Sequence, residues 1–107
     1  MFEKDKEEFR KWLVCNKNLS LKVSGDHLCR CKRLHNGIIE PLHLAVSSPD
    51  NYVIALKKIK KYGIEKSKTK QEQYNLTCSL TASLKKYCEF KNPNNFENYP
   101  NGYSVSI

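Results

Sequence analysis

A chain of 107 residues with a net charge of +8 and a pI near 9.3 has room for one domain with one modest core. At 39% hydrophobic and 28% charged it is too apolar for a wholly disordered chain. The charged start MFEKDKEEFRKWL has neither the apolar stretch of a signal peptide nor the length of a transmembrane span. Such a charge attracts polyanions, nucleic acid first and an anionic membrane surface second. The five cysteines, an odd number without an export signal, read as reduced thiols, so a cytoplasmic location is expected. The sequon Asn75-Leu76-Thr77 then carries no weight.

Apolar residues recur at helical spacing and almost nothing alternates as a strand would, so the predicted fold is all-α. The first helix runs from about Glu3 to Lys17, with Phe9, Trp12 and Leu13 on one face, and Asn16-Lys17-Asn18 breaks it. Ser20 is a good N-cap for the second helix. Its apolar side is Leu28, Cys31 and Leu34, and Asn36-Gly37 is a stop signal. Gly25 costs this helix about 1 kcal/mol relative to Ala, so packing must hold it. A short helical turn is expected around Leu42 to Val46.

Ser48-Pro49-Asp50 announces a third long helix by cap, proline and acid. Tyr52, Val53, Leu56 and Ile59 form its apolar face, and Gly63 is its expected C-terminal cap. Glu65 to Gln73 reads as a basic loop or frayed end. The last helix is expected from about Leu76 to Phe90, with Leu80, Leu84, Tyr87 and Cys88 on one side. After Lys91 the Asn- and Pro-rich stretch NPNNFENYPNGYSVSI has no helical period. The expectation is therefore a four-helix domain over residues 1–91 and a tail or interdomain linker over 92–107.

The excess charge lies in two places. The second helix carries Lys22, Arg30, Lys32 and Arg33 against Asp26 alone, with Lys22, Arg30 and Arg33 on the side away from the apolar stripe. From Lys57 to Lys70 there are seven lysines against Glu65 alone, among them Lys57, Lys58 and Lys61. The last helix adds Lys85 and Lys86. A basic face opposite a core face suits a helix laid against phosphates, and the arginine fork also fits the guanine edge.

HLCRCKRLH, residues 27–35, raises the question of a metal. His27, Cys31 and His35 stand at four-residue steps and share a helix face, a spacing able to present ligands to zinc. Cys29 points elsewhere, and no Cys-x-x-Cys or second ligand pair follows. The reading is that Cys31 packs as a small core residue flanked by the two histidines, with no metal and no cofactor. A zinc-stabilised domain stands as an alternative.

EEFRKWLVCNKNLSLKVSGDHLCRCKRL and TCSLTASLKKYCEFKNP resemble the N-terminal SAM-like, or core-binding, domain of phage integrases and other tyrosine recombinases. The likeness lies in the amphipathic first helix, the "x-x-L-S-x-K-[TV]" turn, the Arg-x-x-Arg end of the second helix and a closing helix "S-L-x-x-A-L-x-x-Y-x-x-F". It implies a small four-helix SAM-like bundle that clamps duplex DNA with its second and fourth helices. On that resemblance Ser20 and Lys22 meet phosphate, Arg30 and Arg33 lie further along, and Thr77, Thr81 and Lys85 face DNA. Lys57, Lys58 and Lys61 join the list on electrostatic grounds.

Ser24 and Gly25 are smaller than the family habit, and Asp26 sets an acid near the DNA face. His27-Leu28-Cys29-Arg30 matches the recombinase His-x-x-Arg by chance, because it sits in the clamp helix. No catalytic arginine–histidine–tyrosine set fits in the chain, so no enzymatic activity is expected. A catalytic domain C-terminal to this chain is then an implied partner beside double-stranded DNA. The alternative from another class is a module whose basic surface binds an acidic protein.

Overall fold

Hydroxyl side chains start three of the long helices. In the computed structural model, which describes residues 2–99, Ser20 Oγ accepts the Val23 N–H at 3.1 Å. Ser48 Oγ accepts that of Asn51 at 3.2 Å, and Thr69 Oγ1 that of Glu72 at 3.1 Å. Each satisfies a backbone donor that a helix start leaves open. The helices are α1 (Phe2–Asn16), α2 (Leu21–Arg33), the one-turn α3 (Leu42–Ala45), α4 (Pro49–Lys66) and α5 (Lys70–Lys91). A π turn over Leu34–Ile38 extends α2, and a 3-10 turn spans Phe96–Asn98. No strand occurs among the described residues.

α1 turns into α2 at Asn18, whose φ of 56° lies in the left-handed region that asparagine tolerates. Leu19 N–H closes the turn onto Leu13 C=O at 3.2 Å.

The core is organised around α5, against which both α2 and α4 pack. Its Leu80, Leu84, Tyr87 and Cys88 are fully buried with Leu28, Cys31 and Leu34 from the α2 side and Tyr52, Leu56 and Ile59 from α4. A fully buried side chain of this size contributes about 1.5–3 kcal/mol. α1 lies over the end of α5 through aromatic rings: Phe9 meets Tyr87 edge-on at 5.4 Å and Phe90 at 5.2 Å, and Trp12 meets Phe90 at 5.7 Å. Asp5 fastens this layer by accepting from Tyr87 Oη at 2.8 Å and Lys91 Nζ at 3.2 Å, and Lys17 pairs with Glu89.

Two boundaries differ from the sequence reading. The expected loop Glu65–Gln73 shrinks to Ser67–Thr69, because α4 continues to Lys66 and α5 begins at Lys70 rather than Leu76. A Thr-x-x-Glu cap explains the early start: Glu72 carboxylate also reaches back to the Lys68 N–H at 2.9 Å. Gly63 is no C-terminal cap. It is buried inside α4 where α5 crosses, and a Cβ there would collide with Thr77 Oγ1.

The beginning of the tail folds back onto the domain. Asn92 Nδ2 donates to Val46 C=O at 2.9 Å and Cys88 C=O at 3.0 Å. Tyr99 is buried edge-on against Tyr52, ring centroids 5.4 Å apart, and its hydroxyl donates to Val46 C=O at 2.7 Å. The rest of the expected tail, residues 100–107, lies outside the described residues.

Candidate nucleic-acid interface

The candidate surface lies along the seam between α2 and α5. α2 buries Ser24, His27, Leu28 and Cys31. A turn of 100° per residue then leaves Lys22 and Arg33 on its far side and Arg30 on the flank beside His27. That flank meets α5: His27 Nδ1 and Ser83 Oγ are hydrogen-bonded at 2.8 Å, and Cys31 Sγ donates to Ser83 C=O at 3.5 Å. Lys86 stands one helical step beyond Ser83 on the same side of α5.

Arg30 and Lys86 thus stand on the two helices that meet at His27 and Ser83. The pKa of His27 is held below the usual histidine value first by burial, then by the positive charges of Arg30 and of Lys86, with Asp26 opposing weakly. Of the two carboxylates near this ridge, Glu89 is held by Lys17 and Asp26 is exposed.

The opposite flank of α5 faces α4, as the approach of Thr77 to Gly63 shows. Lys85 lies on that flank, and α4 turns Lys57 and Lys60 toward it. Lys58 lies on the other flank of α4, around a cleft shared with Gly37, Ile38 and Tyr62. Lys61 stands outermost. The candidates thus separate: Arg30 and Lys85 share an outward band with Lys86 and the edge residue Lys57, Lys22 and Arg33 cover the back of α2, and Lys58 and Lys61 turn away from α5.

Three hydroxyl candidates have other work. Thr81 is 3% exposed, so the expectation that it faces DNA is corrected: it is buried on the α4 side of α5, one turn on from Thr77. Thr77, half-buried, fills the space over Gly63. Ser20 is exposed but caps α2. Lys86 was the residue that sequence reasoning left off its list. The pair Lys85-Lys86 is visible, but which lysine faces which helix depends on where α2 and α4 pack.

The histidine–cysteine ladder is occupied by structural bonds. His27 and Cys31 engage Ser83, and His35 Nδ1 accepts the Leu42 N–H at 3.1 Å at the start of α3. No group of three or more His, Cys, Asp or Glu side chains able to hold a metal lies among the described residues. Burial pushes the Cys31 thiol well above its usual range and the Cys88 thiol up to about 12, so neither is a ready thiolate. Cys15 and Cys29 are exposed. No described helix is long and apolar enough to cross a membrane.

Compared with known proteins, the chain matches no family model, no curated protein and no solved structure.

Proposed function

We propose that this chain is a non-catalytic DNA-binding module of the SAM-like, core-binding kind, clamping duplex phosphates along the outward ridge of α5. The observation that carries the reading is the placement of Arg30 and Lys86 on the two helices that the buried His27–Ser83 hydrogen bond joins, with Lys85 continuing the band toward α4. Two like charges held across one seam repel each other, and an anion bridging them relieves that repulsion. Ala82, a small side chain, lies on the outward ridge of α5 between Lys86 and Lys85.

The contacts offered are cationic, and the hydroxyl of Thr81 is buried. Positioning on phosphates therefore dominates over base reading. On this reading a catalytic domain, if joined to the module, supplies the strand chemistry.

The test is fluorescence anisotropy with a labelled mixed-sequence duplex at about 50 and 200 mM salt. Affinity is expected to fall steeply between the two, and Arg30→Glu with Lys86→Glu to remove at least about tenfold of what remains. Binding indifferent to salt, or unchanged by the double charge reversal, overturns the proposal.

A further inference from the structure

α4 is amphipathic on both sides. Its inner stripe is Tyr52, Ala55, Leu56, Ile59 and Gly63, all buried. Its outer stripe is Ile54, Lys57, Lys58, Lys61 and Ile64, which together line one shallow groove. Ile54 and Ile64 are 52% and 51% exposed, side chains that would ordinarily be polar on a solvated face. At the Ile54 end the stripe runs into a cleft of about 220 Å³ between α3 and α4, where Pro41, Leu44 and Lys58 also line the wall. Leu44 is 51% exposed. The surface therefore has a cleft with apolar walls at Pro41, Leu44 and Ile54 and polar groups at Glu40 and Asn51, then three lysines, then a second apolar end about 15 Å from Ile54 along the helix axis.

We infer that this face docks an acidic amphipathic helix of another protein. One apolar side chain of that helix seats in the cleft beside Leu44 and Ile54, and a second, about three turns on, covers Ile64. Carboxylates between them oppose Lys57, Lys58 and Lys61. Apolar anchors at helical spacing are how a helix is read by a groove, and the intervening lysines select an acidic one.

Other occupants fit less well. A lipid surface is met by a continuous apolar face edged with lysines, whereas here the lysines occupy the middle and Glu40 stands on the cleft wall. Duplex DNA would have to desolvate its phosphates against two isoleucines. A second copy of this chain brings the same +8 charge, and its acid-rich helix α1 is offset by Lys4, Lys6, Arg10 and Lys11. Apart from Lys57, which also edges the outward band of α5, the face is distinct from the α2–α5 seam, so it gives the module a protein partner in addition to DNA.

The probe is a synthetic helical peptide with leucines about three turns apart and glutamates between them, titrated into the isotopically labelled full chain and followed by amide shifts. Shifts are expected at Leu44, Ile54, Lys58 and Ile64. Affinity should drop at least about tenfold for Ile54→Ser with Ile64→Ser, and similarly for Lys58→Glu with Lys61→Glu. The serine pair removes exposed side chains only, so thermal unfolding should be unchanged and duplex affinity should stay within about twofold. A peptide with glutamines in place of the glutamates should bind weakly.

Absence of shifts on α4, equal affinity of the serine variant, or capture by phosphatidylserine vesicles instead of the peptide would each overturn the inference. Duplex DNA perturbing Arg30 and Lys86 but not Ile54 and Ile64 separates a failure here from a failure of the DNA reading.

Discussion

The α2–α5 seam and the outward face of α4 are both lysine- or arginine-rich stretches of sequence, yet they are physically unlike. At the seam, the positive charges of Arg30 and Lys86 act on a buried histidine whose ring is hydrogen-bonded to Ser83. On α4, Lys57, Lys58 and Lys61 lie between two isoleucines that solvent reaches. Charge count alone would make them one binding surface. One is a junction where half-buried cations flank a buried histidine, and the other is a surface on which lysines and half-exposed isoleucines lie side by side. On the two proposals above, the same residue types suit different partners, depending on what lies between them.

The largest effect expected tests whether the two faces share one scaffold. Leu84 is fully buried on the helix that both α2 and α4 pack against. Leu84→Ala should cost about 3 kcal/mol and lower Tm by roughly 15 °C. Duplex and peptide binding should then disappear together at the new midpoint. If one face outlives the other on heating, the faces belong to separately cooperative units and the comparison changes.

A smaller pair of opposite effects sharpens the geometry between α4 and α5. A Cβ at Gly25 meets nothing within 4 Å, whereas one at Gly63 collides with Thr77 Oγ1. Gly25→Ala should stabilise by up to about 1 kcal/mol through helix propensity. Gly63→Ala should destabilise by about 1–2 kcal/mol in spite of the same propensity, and Thr77→Ala should restore much of the loss. Denaturant midpoints of the three variants and the Gly63–Thr77 double variant decide this. A stabilising Gly63→Ala would mean that the helices do not cross so closely, and that Lys57 is not held toward α5.

The smallest effect is in pH. The folded state keeps His27 below the ordinary value of 6.5, so the unfolded chain takes up a proton that the folded chain still refuses. Stability is then complete above pH 6.5 and is lost as pH falls from there through the folded value. Urea midpoints should show this slope, and His27→Gln should flatten it. Bound duplex bridging Arg30 and Lys86 should raise the His27 pKa, while an acidic peptide on α4 should leave it unmoved, both read from the ring resonances. A duplex that binds without shifting His27 lies elsewhere on the molecule.

Much of this fold was legible before any tertiary information. Ser20 and Ser48-Pro49 announced helices that begin there, and Leu28, Cys31 and Leu34 were expected and found in the core. The beginning of α5 was missed although its Thr69-x-x-Glu72 cap was present, because the turns that follow are polar and carry no apolar period until Leu76. Gly63 was misread for a related reason: glycine ends helices and lets helices cross, and only the position of Thr77 tells which. The packing of Cys31 against α5 and the engagement of His35 at the start of α3 agree with the expectation that the ladder is structural. The burial of Thr81 does not agree with its expected DNA contact.

The site was legible only as a sign and a set of helices. Periodicity alone determined that this chain forms helices with one buried stripe each, where most of them start, and that its surface is strongly positive. A helical period specifies which residues share a face, but it contains nothing about which neighbour that face meets. Tertiary packing decided the rest: that α5 lies between α2 and α4, that Lys86 rather than Lys85 joins Arg30 at the seam, that Tyr99 returns to Val46, and that Ile54 and Ile64 stay in solvent. Each of these depends on contacts between residues far apart in the chain, which local propensity does not encode.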